Sequence, residues 1–307
     1  MSSKSKKPFR LLAIPLFFIL IIWMTTPIAG CGSAAEGTDT TAAFKASLNP
    51  PANQAVAALT TISQTESSCR DDIVQSFPDG IINSSVMPLQ SNGNDKKQQL
   101  SSCGPKLTQA KAALDAAMTG LQAVVSPPGC DSCKNALDTL NTAVNDAEKN
   151  LPQSIDLINF DASILAVSND EINRLMAIPN LGDYVTEQDL KNYYGSQAAA
   201  YDACIAKWKS FNEPAYADKI QAVIAAKQTQ ADLANQEAGG SSSITEVQMA
   251  MGQKEEAALT SANNAALSVF QAVRDKLRDL DNSFDQDKAS ADRVVSNISP
   301  SGNTTGN

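Results

Sequence analysis

The sequence predicts an all-α protein, an elongated set of antiparallel helical hairpins or a bundle with coiled-coil-like packing. Three observations predict it. Beyond residue 50 apolar residues recur at three- and four-residue spacing in segment after segment, no convincing alternating run interrupts them, and prolines or glycine-rich turns separate the stripes.

Pro50 and Pro51 are expected to open a first helix with the stripe Val56, Leu59, Ile62, Cys69, Ile73 and Phe77, stopped by Pro78-Asp79-Gly80. Residues 78–104 read as a long irregular connection. Pro105 then opens a helix striped by Leu107, Ala110, Leu114, Ala117, Leu121 and Val124, and Pro127-Pro128-Gly129 turns the chain. The next stripe is Cys133, Leu137, Leu140, Val144, Ala147 and Leu151, which makes the pair an antiparallel hairpin. Residues 153–167 fit a helix first and a short strand second. Ser168 with Glu171 forms a capping box that predicts a fresh helix start, stapled by Val167 and Ile172. Thr186 with Asp189 and Thr245 with Gln248 repeat the pattern. Between them runs Leu190, Tyr194, Gln197, Tyr201, Cys204, Trp208 and Phe211, broken or kinked at Pro214, with Tyr216, Ile220, Val223 and Ala231 beyond. The last helix, roughly 246–296, carries Ala262, Ala266, Val269, Val273, Leu277, Leu280 and Phe284. At about 1.5 Å per residue its fifty-odd residues predict elongation.

The N-terminus has a different character. Lys4, Lys6, Lys7 and Arg10 precede an apolar run from Leu11 to Met24, which is short of the roughly twenty residues a membrane-spanning helix needs. A basic flank, a short apolar run and a small-residue cut site make a secretory signal. The cut region, Ile28-Ala29-Gly30-Cys31, resembles the lipobox of bacterial prolipoproteins. The resemblance implies removal of residues 1–30 and acylation of Cys31, with a palmitate-type chain among the lipids. Several acyl chains anchor stably where one is marginal. It also implies export to the cell envelope. Gly32 in place of the Asp that retains such proteins in the inner membrane favours the outer membrane where the organism has two. Residues 31–49 are small and polar and read as a flexible tether, 50–299 as the helical body, and 300–307 as a disordered tail.

Composition narrows the function. With four bases in the signal, 20 bases face all 33 acids in the remainder, a net of about −13. Such a surface repels phosphate backbones, so nucleic acid is not an expected partner. The chain has no histidine, which removes His-based triads, His-ligated zinc or haem and the usual proton shuttle near neutral pH. No cofactor and no metal are expected. Asp279, Asp281 and Ser283 echo a calcium loop, but Phe284 stands where glycine is required and Ser290 where a bidentate Glu is.

Cys130-Asp131-Ser132-Cys133 is the sharpest motif. Its helix-terminal position could support a thiolate, yet the βαβ setting of thioredoxin-like sites is missing, and exported cysteines more often form structural bridges. With Cys31 acylated, five cysteines remain. The expected pairs are Cys69–Cys103, stapling the irregular connection, and Cys130–Cys133, leaving Cys204 a buried thiol. All five tyrosines lie between 184 and 216. Tyr194, Tyr201 and Trp208 share one helical face, a core stripe first and a platform for a partner or ligand second, while Tyr193 lies off that face and should be exposed. The expected function is therefore non-enzymatic, a lipid-anchored interaction or scaffold module for an unidentified protein. The alternative is a helical ligand-binding lipoprotein of the sensor or solute-capture kind.

Overall fold

The computed structural model describes residues 36–76, 86–179, 186–239 and 246–298, with side chains throughout except in 36–39, 70–76, 86–101 and 246–252. The signal segment, Cys31, Phe77, Val185, Thr245 and the tail 300–307 lie outside what is described, as does the side chain of Ile73. Every regular element among the described residues is helical: α1 (Glu36–Ser76), α2 (Val86–Gln122), α3 (Asp131–Met176), α4 (Glu187–Lys209), a 3-10 turn (Pro214–Tyr216), α5 (Ala217–Gly239) and α6 (Glu246–Ile298). Among the described residues no helix is long and apolar enough to cross a membrane.

The stripes read from the sequence are the core. Leu107, Ala110, Leu114, Ala117 and Leu121 on α2, Leu140, Val144, Ala147 and Leu151 on α3, and Val269, Val273, Leu277, Leu280 and Phe284 on α6 are all buried. At 46 and 53 residues, α3 and α6 run about 70 and 80 Å.

Three boundaries differ from the sequence expectation, each where a terminator lies inside a continuing helix. α1 begins at Glu36, so much of the expected tether is helix, and Pro50 and Pro51 lie within it. An internal proline costs roughly 3 kcal/mol. Phe44, Leu48, Ala52 and Ala55 keep the buried face in register across the pair, and their burial offsets that cost. α2 likewise starts at Val86, not at Pro105, so most of the expected irregular connection is helical. Buried Cys103, Leu107 and Ala110 bridge that proline. The third difference is Ser168, which is no helix start: α3 runs through it and through Pro152 to Met176. Leu157, Ile158, Ile164, Leu165 and Val167 are buried on one continuous stripe, so 153–167 is helix and packing overrides the local cap signal. The Thr186–Asp189 box does form: Asp189 N–H donates to Thr186 Oγ1 at 3.1 Å and Thr186 N–H to Asp189 Oδ2 at 2.9 Å. α4 ends at Lys209 with Ser210 as its C-cap, and Pro214 opens the 3-10 turn that follows, a position where its missing donor costs nothing.

Helix neighbours define two storeys that share α3 and α6. α3 packs on α2, α4 and α6, and α5 packs on α4 and α6. α1 joins α2 through Cys69–Cys103, approaches α3 where Ser154 Oγ stands 3.5 Å from Glu66 Oε1, and meets α6 where Ser63 donates to Asp285 at 2.6 Å. One storey is therefore α1, α2, the N-terminal half of α3 and the C-terminal half of α6. The other is the C-terminal half of α3, α4, α5 and the N-terminal half of α6. Each is an up-down four-helix arrangement. Gly120 on α2 lets α1 come close, since a Cβ there would lie 2.9 Å from Pro51 Cβ. Gly129, at φ 76°, makes the α2–α3 turn in the left-handed region that glycine enters freely.

Candidate functional site

Phe160 marks the boundary between storeys, edge-on to Phe211 at 5.4 Å and stacked on Tyr216 at 5.6 Å. One residue along α3, Asp161 is wholly buried and neither carboxylate oxygen has a hydrogen-bond partner. Burial pushes its carboxyl up to about 7, against the pull of Arg274 on α6.

Within the α3–α4–α5–α6 storey, charged and polar groups occupy stripe positions. Glu171 on α3 and Lys227 on α5 are both more than nine-tenths buried and pair at 2.5 Å. The Cys204 thiol on α4 donates to the second Glu171 oxygen at 3.1 Å. Burial and then the Glu171 charge hold that thiol far above its ordinary range, so it is no nucleophile. Lys227 Nζ also lies 5.9 Å from the Tyr201 ring centroid, at the edge of cation–π range. Burial, then Glu171 and Glu255, raise the Tyr201 phenol to about 12. On the rim, Asp170 bonds both Arg174 and Lys207 at 2.8 Å, clamping α3 to α4, and those bonds hold its carboxyl below the usual range.

Toward the outer end the same storey gathers Tyr194, Glu237 and Glu255 from α4, α5 and α6. Burial raises Glu255, and Glu237 adds to the shift; Tyr194 is raised by burial, then by Glu255 and Glu237. Tyr193 packs edge-on against Tyr194 at 5.3 Å and is half-buried, not exposed as its position off the stripe implied. Neighbouring alanines (Ala198, Ala231, Ala234, Ala258 and Ala262) leave the interior to these larger polar groups.

The structure thus separates the residues singled out from sequence. Cys69–Cys103 and Cys130–Cys133 stand at bonding distance, with S–S of 2.05 and 2.01 Å, and Cys204 is a buried free thiol. Trp208 is core, 1 % exposed and edge-on to Phe211 at 5.4 Å, whereas Tyr194 and Tyr201 reach the polar interior. Glu171, Lys227, Gln230 and Asp161 were missed as site residues. A signal existed: Lys227 follows Ile220, Val223 and Ile224 at helical spacing, and Asp161 follows Leu157 and Ile158. A charge on an apolar stripe predicts a buried partner. Elsewhere, an open groove of about 350 Å³ between α3 and α6 is lined by Asp138, Thr142, Asp287 and Ser290. Burial and Asp146 hold Asp287 up at about 7.

None of the protein-family models, curated proteins or solved structures compared with the chain matches it.

Proposed function

We propose that the chain is an exported, lipid-anchored envelope protein whose task is to bind or scaffold another protein, not to catalyse a reaction. The observation that carries this reading is the continuity of α3 and α6, whose unbroken buried stripes pass through both storeys and form a stiff spine. A stiff spine on a lipid-anchored chain can present an extended binding surface in the envelope. The acidic body disfavours anionic headgroups and nucleic acid, leaving membrane contact to the lipid. The one free thiol among the described residues is inert, and Glu171 and Lys227 neutralise each other, which supports a non-catalytic role.

Cys31→Ser should abolish metabolic labelling with palmitate and leave an unlipidated precursor; unchanged labelling would rule the anchor out. Affinity capture from native membranes should recover one protein partner with the lipidated chain in stoichiometric yield. Recovery of the chain alone, under conditions that preserve other envelope complexes, overturns the scaffold reading.

A further inference from the structure

Asp161 has no exposed surface, and neither of its carboxylate oxygens has a hydrogen-bond partner. It stands where the neighbours of α3 change from one storey to the other. Gly104 on α2 faces Asn159 just before it. Phe160 beside it packs on Phe211 and Tyr216, and Phe211 lies edge-on to Trp208. A buried charge without donors is far costlier than a buried neutral acid, so this packing suits only the protonated form.

The described charged groups around Asp161 supply no donor in place. Arg274 on α6 pulls on it without bonding it. From the turn between α4 and α5, Glu213 adds only negative charge beyond Tyr216, whose phenol is held up by burial and then by Glu213. Lys106 on α2 is exposed, and Arg70, Asp71 and Asp72 at the end of α1 have side chains outside what is described. Glu66 and Asp281 are buried acids about two turns away, toward the α1–α2 storey. Asn150 on α3 donates to Ser283 on α6 at 3.1 Å; Asp161 lies eleven residues beyond the first and Arg274 nine before the second. On antiparallel helices the two are therefore level to within about 3 Å. No bond joins them there, so an ionised Asp161 reaches Arg274 only if α3 and α6 shift, and water only if they part.

We propose that the boundary between the storeys is a proton-operated joint, packed while Asp161 keeps its proton and opened locally when the proton leaves. Burial raises that carboxyl to about 7, so the joint responds in the range just below neutral pH. Packed and open joint are two states of one fold, and the proton shifts their populations by its differential affinity for them. This goes beyond the binding or scaffold reading and does not depend on it.

Hydrogen exchange of the full chain, corrected for the pH dependence of intrinsic exchange, tests the joint in peptides covering 157–165, 206–216 and 270–278. Opening there should rise about tenfold per unit from pH 5 to 7, about a hundredfold in all, and level off above. The rise should be insensitive to low urea, because a local opening exposes little surface. Asp161→Asn should hold the joint at its low-pH protection throughout, whereas Asp287→Asn should leave the rise unchanged. Should the Asp161 variant fold poorly, the pH series of the unaltered chain decides. Joint amides that lose protection only together with 107–121 of α2, and with the same urea dependence, would mean that Asp161 acts through global unfolding alone and overturn the proposal. Flat protection from pH 5 to 8 also overturns it, as does an unchanged rise in a well-folded Asp161→Asn.

Discussion

The two storeys share α3 and α6 yet fill the space between helices differently. Where α1 and α2 pack, the interior is built of large aliphatic and aromatic side chains, with Leu48, Leu59, Ile62, Leu114, Leu140, Leu277 and Phe284 fully buried. Both cysteine bridges belong to that half. Where α4 and α5 pack, Ile205, Trp208, Ile220, Val223 and Ile224 share the buried positions with alanines, and Glu171, Lys227 and Gln230 also take places on the stripes. Each buried leucine contributes roughly 1.5–3 kcal/mol from apolar area, and alanine much less. Both halves are mainly apolar inside; the first adds covalent staples and buries Glu66, Ser154 and Asp281, whereas the second adds the Glu171–Lys227 pair, which works only in one register.

The largest effect expected from breaking that difference is in the polar half. Lys227→Met strands Glu171 in the interior and should destabilise the fold by about 3–5 kcal/mol in urea unfolding. Adding Glu171→Leu should recover most of the loss, because a buried pair replaced by apolar groups of similar size is often neutral. A double variant as unstable as the single one would show that the pair is not the cause.

Next is the staple of the aliphatic half. Cys69–Cys103 spans 34 residues of sequence, and loop-closure entropy assigns it about 4 kcal/mol. Cys69→Ser with Cys103→Ser should lower hydrogen-exchange protection in α1 and α2 first and leave α4 and α5 protected at low denaturant. Equal loss everywhere would mean that α3 and α6 couple the storeys into one cooperative unit.

Asp161 at the boundary gives a smaller, pH-dependent effect. Its carboxyl ordinarily titrates at 3.8 and in the fold at about 7, so between those values the folded chain keeps a proton that the unfolded chain has released. Stability should therefore fall as pH rises from about 4 to about 7 and level off above. The drop is a few kcal/mol at about 1.4 kcal/mol per unit. Half-buried Asp287, also raised to about 7, adds a weaker slope of the same sign. Asp161→Asn should flatten most of the curve and Asp287→Asn a smaller part of it; an unchanged profile in the first variant would place Asp161 in a wetter setting.

The same contrast explains what could be read in advance. Stripes of large side chains were legible because period alone places them: Leu107 to Leu121 and Val269 to Phe284 are buried as spaced. Ends marked only by proline or by a capping pair were not, because such signals are local and burial is not. Pro50, Pro105 and Ser168 all lost to a stripe that continued past them. Thr186 succeeded because its side chain and that of Asp189 close the cap reciprocally, and at Pro214 the chain does break, into a 3-10 turn. The polar half resisted for a further reason. Charged residues on a helix read as surface until a partner on another helix is known, and Lys227 and Glu171 are 56 residues apart.

The smallest expected effect lies at the far end of the aliphatic half, where Cys130 and Cys133 cap α3. Cys130 is the N-cap, and the Cys133 N–H points at its sulfur from 3.3 Å. That arrangement supports a thiolate, as helix N-termini do. Against it, Asp131 places a negative charge in the same first turn, and no basic residue lies within the motif. A redox site must attack a partner disulfide and cycle back, which needs a thiolate that forms readily. A bridge that pins the start of α3 just after Gly129 reverses the chain needs no such property. Because the closed loop is only a few residues, loop-closure entropy amounts to about 2 kcal/mol. Cys130→Ser with Cys133→Ser should therefore lower the melting temperature modestly and leave partner binding intact. The unaltered chain should also fail to reduce insulin with dithiothreitol as electron source. Turnover in that assay, lost in the double variant, would make this end of the molecule an enzyme and reverse the contrast between the two halves.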